Sequence, residues 1–204
     1  DKELSRFIFK KNKINVPKYF ILEKNIKNNF SKKIKSKKIK FPIVIKPISE
    51  GSSLGVYICK NKIEFNKSYN KLKNEYERII VEEYIPGKEI QAAVMGNKAL
   101  GAIELIPSRK FYDYKAKYSS KAKTTHIMPA SISKDKYKEV LSLAKKAHKL
   151  LGCKGITRSD FRFSNNKFFL LETNTQPGMT KLSLVPEIAK HCGITFEDLV
   201  VWMV

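Results

Sequence analysis

Two strand-like runs, "GITRSDFRF" (155–163) and "KFFLLETN" (167–174), are separated by nothing but "SNN". Such spacing between β-branched and aromatic runs commits this part of the chain to a β-hairpin. Strand side chains alternate faces, so Arg158 and Asp160 share a face of the first strand, and Glu172 and Asn174 share a face of the second. Loop length decides whether those two faces are the same. A three-residue loop, Asn165 to Lys167, sets Asp160 opposite Glu172 and Arg158 opposite Asn174. A two-residue loop sets Asp160 against Leu171 and sends the acids to opposite faces. Asn tolerates the left-handed backbone that an odd loop often needs. In the odd-loop register, two carboxylates, an amide oxygen and an arginine gather on one surface.

Those hard oxygen ligands suit Mg²⁺, which keeps several waters and shares its sphere with substrate phosphates. The plainer alternative is a pair of cross-strand salt bridges on an exposed sheet face. A metal reading requires a phosphate site, and "VIKPISEGSSLGV" offers one. Lys46 ends an apolar strand, and Gly51, Ser52, Ser53 and Gly55 follow. Glycines let backbone N–H groups approach phosphate oxygens, while the hydroxyls add donors. Neither GxxxxGK[ST] nor GxGxxG occurs, and a plain Gly-Ser turn is the competing reading. In "IIVEEYIPGKEI" a strand emerges into Glu82, Glu83, Tyr84 and Ile85. Backbone there can meet an adenine edge, and Glu89 can accept from ribose hydroxyls. A charged strand end at the surface is the alternative.

The remaining pattern is mixed. Residues 1–12 read as a helix, "YFIL" as a short strand, and "FPIVIKP" as a strand paired with "GVYICK". Residues 64–77 read as a helix, and "EIQAAVMG" with "ALGAIELI" as a hairpin around Asn97. Residues 108–126 have no clean period and read as a long loop of the lid type. Ser133 caps a helix that Gly152 ends, and two short helices close the chain, the second capped by Thr195. The order predicts a small α/β lobe followed by a larger one built on antiparallel sheet.

A formal net charge of +22 invites a nucleic-acid reading. The excess is nearly all Lys, however, with Arg only at 6, 78, 109, 158 and 162. Phosphate-clamping and base-reading surfaces favour the planar fork of Arg. The Lys-rich run 32–40 therefore reads as a solvated connector between helix and strand, and no nucleic-acid partner is expected. No apolar run approaches the roughly 20 residues that span a bilayer, so no membrane partner is expected either. The three cysteines share no metal-type spacing and read as reduced thiols of a cytoplasmic protein. His126 and His191 stand alone and read as ordinary surface or core side chains. The chain starts without Met, inside a helical pattern, and is read as missing an upstream portion.

Taken in order, "IKPISEGSSLGV", "VEEYIPGKEI", "FYDYKAKY", "GCKGITRSDF" and "LLETNTQPGMTKLSLVP" resemble the D-alanine–D-alanine ligase family of the ATP-grasp superfamily. The resemblance implies an α/β (α+β) ATP-grasp fold: two lobes, 1–82 and 83–204, each with antiparallel-rich sheet and helices, and nucleotide between them. It implies that Lys2 and Lys46 hold ATP phosphates under a closing loop carrying Ser52 and Ser53, with Ser52 among the catalytic residues. Glu82, the backbone of Glu83 and Ile85, and Glu89 hold adenine and ribose. Lys117 reaches the phosphates from the lid, and Tyr118 closes it over the substrates. Asp160, Glu172 and Asn174 bind two Mg²⁺ ions, for which Mn²⁺ can substitute. Arg158 steadies the acyl phosphate and the tetrahedral oxyanion. Gly178, Ser183 and Leu184 hold the second of two D-alanines.

The implied activity is ATP-dependent ligation of two D-alanines for peptidoglycan precursor synthesis and cell wall biogenesis, by a cytoplasmic homodimer in full-length form. The implied N-terminal domain, with a glutamate for the first D-alanine, is absent from this chain. Lys115 stands where an acid is expected between Tyr114 and Ala116, and Arg162 adds a cation near the metals. The alternatives are another ATP-grasp amino-acid ligase, a nucleotide-binding remnant without turnover, and a basic nucleic-acid-binding module.

Overall fold

The computed structural model describes the whole chain, Asp1–Val204, except Asn25, Lys27, Asn28, Ser52, residues 108–123 and Lys181. The expectations for Ser52, Lys117 and Tyr118 lie outside the described residues. Two compact units emerge. Among the described residues, one gathers Asp1–Leu4 and Pro17–Ile85, and the other gathers Ser5–Val16 with residues 86–107 and 124–204.

The first unit is built on β1 (Tyr19–Glu23), β2 (Ile43–Pro47), β3 (Tyr57–Cys59) and β4 (Arg78–Glu83), ordered β1-β4-β2-β3 and antiparallel throughout. All five residues of β2 are buried, which explains a β-branched run without polar alternation. Ile43 and Ile45 enter a core with Phe20, Leu22, Phe65, Leu72, Ile79 and Val81. Val44 and Lys46 face the other side, where Glu82 sits directly opposite Val44. Helices α2 (Phe30–Ser36) and α3 (Lys62–Glu75) cover the core face, and Phe30 stacks on Phe65 with centroids 3.9 Å apart. Asn29 and Asn61 cap these helices by accepting from Lys32 N and Glu64 N. The Lys-rich run is thus not purely a connector. Its first part is helical, because Phe30 and Ile34 supply an apolar stripe that packs on the core while Lys32 and Lys35 are exposed and Lys33 reaches the Ile21 carbonyl.

In the second unit the strands are β5 (Lys88–Met95), β6 (Lys98–Pro107), β7 (Thr124–Ile127), β8 (Ile156–Ser164) and β9 (Lys167–Asn174). They form one antiparallel sheet in the order β7-β6-β5-β8-β9. α4 (Lys134–Leu150) lays Val140, Ala144 and Ala147 on this sheet. α1 (Lys2–Lys11) adds Phe9 to the same core. α5 (Leu184–His191) and α6 (Phe196–Met203) follow, the latter capped by Thr195, whose hydroxyl accepts from Asp198 N. Residues 124–126, expected in the long loop, belong instead to β7. Three of its four residues are polar, so the periodic signal is weak, but pairing with Glu104–Pro107 of β6 makes it a strand.

The β8–β9 hairpin resolves the loop question in an unexpected way. Ser164 pairs with Lys167, so the loop has two residues, Asn165 and Asn166, not three. Both take positive φ (48° and 59°), the signature of the tight turn that matches strand twist. Simple counting then sends Asp160 to Leu171. A register shift intervenes: Phe161 pairs with Leu170, but Asp160 pairs with Glu172 and Arg158 with Asn174. Leu171 is the extra residue of a β-bulge. The expected partners are therefore observed, by a bulge rather than by an odd loop.

Candidate functional site

On β8, Arg158, Asp160 and Arg162 share a face by alternation, and β5 sets Ala93, Gln91 and Glu89 directly opposite them. β9 adds Asn174 and Glu172 from the other side. Arg158 donates to both carboxylate oxygens of Asp160, Nε to Oδ1 at 2.7 Å and Nη2 to Oδ2 at 2.9 Å. Asn174 Nδ2 lies 3.5 Å from Asp160 Oδ2. Arg162 Nη1 donates to Glu89 Oε2 at 3.3 Å across the strand pair. The acids on this face are thus already partly neutralised by guanidinium groups, as adjacent carboxylates in a sheet require.

The donor set fits a hard divalent ion. Asp160, Glu172 and Asn174 supply two carboxylates and an amide oxygen, and the remaining positions of such an ion are filled by water or phosphate. Gln91, opposite Asp160 and 1% exposed, has a side-chain oxygen with no hydrogen-bond partner among the described residues. A buried amide oxygen without a donor is costly, and a hydrated cation beside Asp160 would supply one. Among the described residues no group of three His, Cys, Asp or Glu could hold a metal by itself. The amide and bound ligand oxygens would have to complete the sphere.

In the first unit Lys46 Nζ meets Glu82 Oε1 at 2.8 Å, with side chains 8% and 3% exposed. Removal from water strengthens this contact and makes either charge costly alone. Lys2 Nζ donates to the carbonyls of Ile48 and Glu50, anchoring the start of the glycine-serine loop. Ser53 in that loop has φ 61°. The N–H of Glu83, at the end of β4, donates to Lys18 O at 2.9 Å. Ile85 is buried just beyond β4.

Past β9 the chain turns through Gly178 to α5. Ser183 occupies the N-cap position of α5, yet its hydroxyl makes no cap bond. It contacts Thr180 instead, accepting from Thr180 N at 3.1 Å and lying 2.9 Å from Thr180 Oγ1. A Cβ on Gly178 would come to 3.0 Å of this hydroxyl, so any larger residue there would make Ser183 give way. Leu184, 7% exposed, is the first residue of the helix.

Several participants escape sequence reading. Gln91 and Arg6 are polar residues in runs that look apolar or amphipathic, and nothing local announces their burial. His126, read as solitary, has Nδ1 2.7 Å from Glu187 Oε2 of α5, a contact only tertiary structure creates. Glu104, 4% exposed, accepts from Lys88 Nζ and Ser131 N. All three cysteines are free thiols, and burial pushes each thiol up, most simply for Cys153, so none is a poised nucleophile.

Residues 8–204 match the protein family described as "D-ala D-ala ligase C-terminus". The chain is 59% identical to the D-alanine–D-alanine ligase of Pelagibacter ubique (strain HTCC1062), a match covering 100% of this chain and 66% of that protein. It is 46% identical to the ligase of the same description from Wolbachia pipientis wMel, over 98% of this chain and 62% of the relative. The chain thus spans less than two-thirds of the length of these relatives. Among solved structures, D-alanine–D-alanine ligase from Bacillus anthracis superposes with TM-score 0.87 at 30% identity, covering 100% of this chain and 65% of that one. The same enzyme complexed with ATP gives TM-score 0.85 at 26% identity, covering 100% and 64%.

Proposed function

The chain belongs to the D-alanine–D-alanine ligase family and has its ATP-grasp fold, and from that premise we propose that it is the nucleotide- and metal-binding portion of an enzyme joining two D-alanines at the expense of ATP. The observation that carries the reading is the bulge-corrected pairing of Asp160 with Glu172 and of Arg158 with Asn174. It collects acid, amide and guanidinium groups where a metal–phosphate complex needs them.

The residues divide the work by chemistry. Lys2 and Lys46 neutralise ATP phosphates as point charges, with Ser52 and Ser53 covering them. The Glu83 carbonyl and the Ile85 backbone read the adenine edge, Glu82 holds Lys46 in place, and Glu89 accepts from ribose. Asp160, Glu172 and Asn174 hold two Mg²⁺ ions. When bound, these ions would draw off charge as the γ-phosphoryl group is transferred from ATP to the carboxylate of the first D-alanine, leaving ADP and D-alanyl phosphate. The amine of the second D-alanine then attacks the acyl carbon, phosphate departs, and D-alanyl-D-alanine and a proton are released. Arg158 stabilises the oxyanion of that step from a site where water is scarce. The Gly178 backbone, the Ser183 hydroxyl and the start of α5 cradle the carboxylate of the second D-alanine, and Leu184 lines its methyl. Lys117 and Tyr118 close the site.

To this reading we add a cytoplasmic location, a homodimeric full-length form and the supply of peptidoglycan precursor, as the family resemblance suggests. Titration calorimetry of MgATP into the full-length protein tests the metal assignment. Wild type binds, and Glu172→Gln weakens binding sharply and abolishes turnover. Near-wild-type turnover in that variant removes Glu172 from the metal site.

A further inference from the structure

Leu171 is the pivot of the site, because it is the extra residue that shifts Glu172 into register with Asp160. In an unbulged ladder the two-residue turn would pair Asp160 with Leu171 and put Glu172 on the other face of the sheet. A bulge leaves a residue out of the ladder, so its polar backbone needs other partners. Those partners come from the beginning of the chain. Arg6 of α1 is fully buried, at 0% exposure, and its Nη2 donates to the Leu171 carbonyl at 3.2 Å. One residue earlier, Leu170 N donates to Asn15 O at 2.9 Å. The segment from α1 to Asn15 therefore grips β9 at the bulge itself. Phe9 and Ile14, both in the core of this unit, hold that segment against the sheet.

Burying a guanidinium is costly, so its place here calls for a reason. An apolar residue on α1 would pack this core at lower cost, but it would leave the bulge carbonyl without its donor. We propose that Arg6 is a positioning residue for the cation site, holding the Leu171 bulge so that Glu172 stays on the face of Asp160. It acts through the backbone and touches neither metal nor substrate. The proposal rests on the reading of Asp160 and Glu172 as metal ligands. It adds that their co-facing geometry is imposed by a residue outside the sheet.

The test uses the full-length protein with three variants, Arg6→Met, Arg6→Lys and Asp160→Asn. Mn²⁺ binding is read by electron paramagnetic resonance, and the Mg²⁺ concentration for half-maximal turnover by a coupled assay. Loss of a residue that orients a metal ligand weakens metal affinity by about 10–100-fold. Arg6→Met is expected to fall in that range for both readouts, with turnover at saturating Mg²⁺ much less affected. Arg6→Lys, which keeps a donor of poorer geometry, is expected between wild type and Met. A role in stability alone would lower the melting temperature and leave Mn²⁺ affinity unchanged, and that result overturns the proposal. If Arg6→Met does not fold, Arg6→Lys decides: weakened Mn²⁺ binding supports the proposal, and wild-type binding overturns it. Asp160→Asn separates the two levels. Retained Mn²⁺ binding there sinks the metal reading and the proposal with it, whereas loss there beside wild-type binding in the Arg6 variants sinks the proposal alone.

Discussion

Arg158 holds both carboxylate oxygens of Asp160, at 2.7 and 2.9 Å, from two positions away on the same strand. The fork geometry makes this a strong, directional contact, and it orients both groups before any ligand arrives. Arg158→Lys keeps the charge and loses the fork. Turnover of the full-length protein is expected to fall by about 10²–10³-fold, the range seen when a single oxyanion donor is removed. MgATP affinity should change far less. Steady-state kinetics with ATP and D-alanine varied separately checks the split.

Lys46 and Glu82 form a buried ion pair at 2.8 Å. Replacing Lys46 by Met removes the cation that lies 2.8 Å from the buried Glu82 carboxylate. Breaking such a pair from one side costs roughly 3–5 kcal/mol. Urea unfolding should show that loss for Lys46→Met, with substantial recovery in the double variant Lys46→Met/Glu82→Gln. No recovery would mean that the two charges are not coupled.

These two contacts differ in how far sequence reaches them. Alternation along "RSDFRF" and "LLETN" makes the face shared by Arg158 and Asp160 legible, and their chemistry suggests a cation site. The route to the Asp160–Glu172 pairing is not legible. It depends on a bulge held by Arg6 and Asn15, which lie at the far end of the chain and leave no mark on the hairpin's own sequence. The Lys46–Glu82 contact likewise needs β2 paired with β4, a pairing between segments that local patterns cannot align. α2 and β7 were obscured for a different reason: lysines and polar residues dilute their periodicity, and packing or pairing decides their state.

Gly87 follows β4 with φ +108°, and a Cβ there would fall 2.2 Å from the Phe163 carbonyl oxygen. No side chain fits without moving β8 backbone. Gly87→Ala is expected to destabilise the fold by at least about 1–3 kcal/mol, the scale of a strained backbone position. Thermal unfolding checks this, and an unchanged melting temperature would show that β8 yields at Phe163.

His148 is 1% exposed, its Nδ1 lies 2.9 Å from Thr157 Oγ1, and burial lowers its pKa from the usual imidazole value. The folded form therefore binds the proton less readily than the unfolded form. Stability from this residue is fully present above the unfolded pKa of about 6.5 and is lost as pH falls from there through the lowered folded value. Denaturation midpoints measured from pH 7.5 down to 5 should decline. His148→Gln should flatten that part of the decline, and an equally steep profile would assign it to other groups.

The account as a whole stands on one reaction. Phosphate release from MgATP by the full-length protein should be followed with D-alanine, with L-alanine and with no amino acid. Release that depends on D-alanine, with D-alanyl-D-alanine formed in equal amount, is the predicted result. Release that ignores D-alanine, or none at all while MgATP binds, would contradict it.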